Sequence, residues 1–61
     1  MVYIVNVLEV NRNDEVTTNI LSSYIIKAKQ NLEAIKEAGK QWKNHPAYST
    51  HRHNYFLRIH A

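Results

Sequence analysis

The stretch of residues 23–44, SYIIKAKQNLEAIKEAGKQWKN, decides how the rest of the chain is read. Within it Ile25, Ala28, Leu32, Ile35, Gly39 and Trp42 recur at alternating spacings of three and four. That spacing places them on one side of a helix, so one amphipathic helix is expected over residues 23–44. Ser22 or Ser23 offers an N-cap hydroxyl for a free amide of the first turn. Lys36, Lys40 and Lys43 load the second half with positive charge, which suits the negative end of the helix dipole. Glu33 can reach Lys36, and Glu37 can reach Lys40, across one turn. Gly39, the only glycine, falls on the apolar stripe. There it either lets a strand approach closely or marks an early end of the helix. Pro46 stops the helix, because the residue before a proline avoids helical geometry.

Working outward, the segments on either side read as sheet. Residues 2–10, VYIVNVLEV, are β-branched, aromatic and nearly continuous, which suits a central strand with no cleanly polar face. Asn11, Arg12, Asn13 and Asp14 form a turn, since Asn and Asp bond their own backbone and tolerate tight geometry. Residues 15–21, EVTTNIL, are expected as a second strand; the competing reading starts the helix early at Thr17 or Thr18. Residues 46–53 are a polar loop. Residues 54–60, NYFLRIH, make a third strand with Tyr55, Leu57 and Ile59 on one side and Phe56, Arg58 and His60 on the other.

Residues 1–61 therefore form one α+β domain of ββαβ layout. A hairpin followed by a helical crossover gives the strand order 2-1-3, with the third strand parallel to the second. The helix covers one sheet face. The other carries Phe56 and Arg58 beside the apolar side of the first strand, a pattern that suits a partner or a second copy.

Charge and chemistry narrow the function. The net charge is +3, and it is unevenly spread. Residues 1–22 hold one arginine against three carboxylates, −2, whereas residues 23–61 hold seven cations against two carboxylates, +5. The helix end and the tail thus favour an acidic partner. There are no cysteines, hence no disulfide or thiolate site. Asn6 and Glu9 interrupt the apolar start, so no signal peptide is expected, and no apolar run approaches the ~20 residues of a membrane span; the expected setting is cytoplasmic, with no membrane partner.

His51 and His53 would point the same way on a strand, a geometry able to hold zinc or copper. However, no Asp, Glu or Cys follows Glu37, and Arg52 between the pair repels a cation, so no metal or other cofactor is expected. Ser22 and Ser23 read as caps, Ser49 as loop, and no carboxylate lies near a histidine in sequence. Tyr48, His51, Arg52, His53 and Arg58 are types that a metal-independent ribonuclease uses, but so small a sheet gives no deep cleft. The expectation is a protein without enzymatic activity. Lys40, Lys43, Arg52, Phe56 and Arg58 are its candidate partner-binding residues. RNA or DNA is the alternative partner, because Lys40, Trp42, Lys43, His45, Tyr48, His51, Arg52 and His53 mix cations with aromatics. Trp42, on the apolar stripe, is expected in the core. Self-association through the open sheet face or an edge strand fits the same layout.

Over residues 2–60 this order of hairpin, helix and final strand, in a short, cysteine-free, Asn-rich chain, resembles small inhibitors that bacteriophages make against single host proteins. The resemblance is one of layout and transfers no signature residue. It implies a blocking protein that works in the host cytoplasm. The helix here is basic where that of a phage inhibitor of host RNA polymerase would be acidic.

Overall fold

A computed structural model describes residues 1–10 and 19–60. In chain order the elements are β1 (Val2–Glu9), β2 (Ile20–Lys27), α1 (Asn31–Lys43), the short α2 (Tyr48–His51) and β3 (Tyr55–Ile59). The sheet order is β2-β1-β3, with both neighbours antiparallel to β1. The α+β class, the central position of the first strand and the shared direction of the outer two are thus as the sequence implied. β1 and β3 fall one residue or so inside their expected limits. The turn over residues 11–14 and the start of the expected second strand, residues 15–18, lie outside the described residues.

The stretch at the centre of the sequence argument is not one helix. Residues 23–27 complete β2, and α1 begins only at Asn31. Ser22-Ser23-Tyr24-Ile25-Ile26 is a run of hydroxyl, aromatic and β-branched residues, which prefers extended backbone. Extension also sorts its side chains: Tyr24 and Ile26 turn to the core while Ile25, 76% exposed, turns away. Ser23 is not a cap; its Oγ donates to Asn6 Oδ1 on β1 at 2.6 Å. The residue before α1 is Gln30, in extended geometry with no side-chain cap bond. At the other end the N–H of Asn44 bonds back to the carbonyl of Gln41, and that of His45 to Trp42, before Pro46.

The buried helix stripe is therefore Ala34, Ala38 and Trp42, flanked by half-buried Ile35 and Gly39. Leu32, expected in it, is 67% exposed. Small residues at one-turn intervals let the helix backbone lie close to the sheet. Ala34 and Ala38 pack with Val5 and Ile26, and Tyr3, Tyr24, Leu57 and Ile59 close around them. Gly39 shares in that approach: a Cβ built on it would meet Leu57 Cδ1 at 3.4 Å, ordinary contact distance. The helix does not end there.

Trp42 is fully buried and anchors an aromatic cluster below the helix. Its ring stacks on His45 at 5.2 Å and meets Tyr55 edge-on at 5.6 Å and Tyr48 at 6.1 Å. Tyr48 and Tyr55 also meet edge-on, at 6.0 Å. Such offset and edge-on pairs are the favoured arrangements of aromatic quadrupoles. Residues 46–53, expected as a polar loop, instead contain α2, which presents Tyr48 to this cluster.

Candidate partner-binding surfaces

Register fixes what each sheet face shows. Facing the helix, Tyr3 pairs with Ile26, Val5 with Tyr24 and Ile59, Val7 with Ser22 and Leu57, and Glu9 with Tyr55. The opposite face is built from the alternate residues. Ile4 lies opposite Ile25, Asn6 between Ser23 and Arg58, Leu8 between Ile20 and Phe56, and Val2 opposite Lys27. The N–H of His60 bonds to the carbonyl of Ile4, so His60 extends the Ile4–Ile25 row.

Among the described residues no helix covers this second face. Val2, Ile4, Ile20, Ile25 and Phe56 are all exposed on it. Leu8 alone is withdrawn, at 6% exposure. The register slips between Val7 and Leu8, so that Ile20 and Leu21 together oppose Leu8 in a β-bulge. Across the middle runs a polar row in which the Ser23–Asn6 hydrogen bond lies beside exposed Arg58. Lys27 and Arg58 are the charged groups that the register places on this face, and both are cationic; no carboxylate joins them among the described residues.

The five residues singled out from sequence do not share one surface. Phe56 and Arg58 stand on the open face, as strand alternation implied. Lys40 and Lys43 are exposed on α1, in the opposite layer, and Arg52 is exposed just beyond α2. Ile4, Ile20 and Ile25 belong to the open face: Ile4 lies on the apolar side of the first strand expected there, Ile20 lies in the expected second strand, and Ile25 alone fitted the helical stripe. The strand alternation of Tyr24, Ile25 and Ile26 is the signal that places Ile25.

The histidines are placed differently from the strand geometry considered above. His51 closes α2 and His53 follows in a turn, so they do not form a strand pair. His51 instead turns to β1: its Nδ1 lies 3.7 Å from Glu9 Oε2, while Asn19 Nδ2 donates to Glu9 Oε1 at 3.1 Å. This contact ties α2 to the end of β1. It joins residues remote in sequence, which is why no local spacing announced it. His45 Nδ1 accepts the N–H of Ala47 at 3.0 Å, a purely structural bond that shapes the turn through Pro46. Among the described residues no three His, Asp or Glu side chains converge on a common point. Within the same residues no helix is long and apolar enough to cross a membrane. Comparison of the chain with protein-family models, with curated proteins and with solved structures gave no match.

Proposed function

We propose that this chain is a non-enzymatic binding protein that seats its open sheet face on another protein and blocks or modulates it. The observation that carries this reading is the face itself: exposed Val2, Ile4, Ile20, Ile25 and Phe56 around a row that ends in Arg58. Contiguous exposed apolar surface of this kind marks interaction sites on small proteins. Its chemistry favours a protein over a nucleic acid. The side chains are mainly aliphatic, and aliphatic groups gain by meeting other apolar side chains, whereas unpaired bases need aromatic planes to stack on. Trp42, the largest such plane in the chain, is buried. A matching partner presents an apolar patch with carboxylates where Arg58 and Lys27 fall. Lys40, Lys43 and Arg52 act from the other layer as a field that attracts an acidic partner. The layout shared with small phage inhibitors supports the same reading, with a host protein as the target and the host cytoplasm as the place of action.

The test is affinity capture from bacterial lysate, with and without nuclease, followed by mass spectrometry. The proposal predicts one stoichiometric protein that survives nuclease treatment. Recovery of many RNA-associated proteins that vanishes with nuclease would replace it with nucleic-acid binding.

A further inference from the structure

A second surface lies at the outer edge of β2 and does not depend on the open face. Met1 and Ala28 exchange both backbone hydrogen bonds, each at 3.0 Å. In an antiparallel ladder bonded and non-bonded pairs alternate. Ser22, Tyr24 and Ile26 therefore bond inward to β1, and the N–H and C=O groups of Ser23, Ile25 and Lys27 point outward. The bond from His60 to Ile4 on the far side of β1 follows the same alternation. The outward groups have no backbone partner among the described residues. β2 is eight residues long, contains no proline, and carries a single charge, Lys27, at its end. Natural edge strands are commonly shortened, bulged or charged to prevent pairing. This one, from Ser23 to Lys27, has little such protection.

The edge opens into a groove of about 380 Å³ between β2 and α1, lined by Ile25, Ile26, Lys27 and Ala28 on one side and by Glu33, Glu37 and Gln41 on the other. The two carboxylates are four residues apart, about 6 Å along a helix. Alternate residues of a strand stand about 6.8 Å apart on one face. A strand laid along β2 would therefore bring successive helix-side residues to Glu33 and Glu37 in turn. Lys27, the cation among the lining residues, belongs by alternation to the open face.

From this geometry we infer that the β2 edge binds an extended peptide segment with lysine or arginine at alternate positions, by strand addition. Backbone pairing with Ser23, Ile25 and Lys27 supplies the affinity, and the Glu33–Glu37 pair supplies the charge preference. A second copy of this chain fits less well. Two-fold pairing of β2 with β2 sets both α1 helices on the same side of one continuous sheet, with their Glu33–Glu37–Gln41 stripes facing across the seam and carboxylate against carboxylate.

The test uses the full chain and three labelled eight-residue peptides: one alternating lysine with valine, one alternating glutamate with valine, and the lysine peptide N-methylated at alternate residues. Fluorescence anisotropy at low salt reads binding, and amide hydrogen exchange reads its location. The expected result is binding of the first peptide alone, with new protection at the amides of Ser23, Ile25 and Lys27. Exchanging both carboxylates, Glu33→Gln with Glu37→Gln, should weaken it about fivefold, the effect of two exposed ion pairs. Both glutamates are exposed, so the fold is not at risk. Equal binding of the lysine and glutamate peptides, retention by the N-methylated peptide, or no binding would overturn the proposal. So would protection of the same amides that grows with protein concentration alone, which would mean self-pairing. None of these readouts depends on the lysate partner, so this proposal and the open-face reading fail separately.

Discussion

The two faces of the sheet use nearly the same amino acids to opposite ends. On the covered face Val5 and Ile26 are buried against Ala34 and Ala38, and Val7 is buried beside them on β1. On the open face Val2, Ile4, Ile20 and Ile25 are as apolar but stay in water. The difference lies in what stands opposite. A helix with small residues at one-turn spacing can approach a sheet closely, and the described residues contain one such helix. The comparison teaches that apolar residues alone do not define a core; a second layer must be long enough to cover them. The open half is the surface on which the proposed partner would sit.

Breaking the covered half should have the largest effect. Trp42→Ala removes the residue that His45, Tyr48 and Tyr55 surround, and a loss of about 3–5 kcal/mol is expected. For a domain of this size that approaches the whole stability, so the variant should show no cooperative urea transition. A native-like transition would mean that the aromatic cluster is peripheral. Gly39→Ala sharpens the same face. The added Cβ meets Leu57 at ordinary contact distance, and a helical alanine is favoured over glycine by about 1 kcal/mol. A higher urea midpoint is expected; a lower one would show that the helix is held closer to β3 than contact distance allows. The smallest effect belongs to Glu9 and His51. Their contact is long and partly exposed, so a double-mutant cycle should return a coupling of less than about 1 kcal/mol. A larger value would make the tie between β1 and α2 a main support of the fold.

What the sequence disclosed follows the same division. β1 and β3 were legible because their alternation and β-branched content point one way, and the strand order followed from connection rules. The boundary between β2 and α1 was not, because Ile25, Ala28 and Leu32 fall by coincidence on a helical spacing that runs into the true helix. Of the stripe that packs, Trp42 was legible, whereas Ala34 and Ala38 carry little hydrophobic signal. Small residues reveal their role only when the opposing surface is known. The same coincidence conceals Ile25 on the open face. Phe56 and Arg58 can be placed by alternation within β3, whereas the helical spacing of Ile25 masks its place in β2. The Glu9–His51 contact depends on chain path and had no local pattern to read.

The most direct test of the account sets two exposed apolar residues against each other. Ile25 and Leu32 are similarly exposed and close in sequence, but one stands on the open sheet face and the other on the helix. Neither is part of the core, so Ile25→Lys and Leu32→Lys should both fold. Capture from nuclease-treated lysate is then compared with that of the unaltered chain. The account predicts that Ile25→Lys loses the partner and Leu32→Lys keeps it. Retention by Ile25→Lys together with loss by Leu32→Lys would move the binding surface to the helix and contradict it.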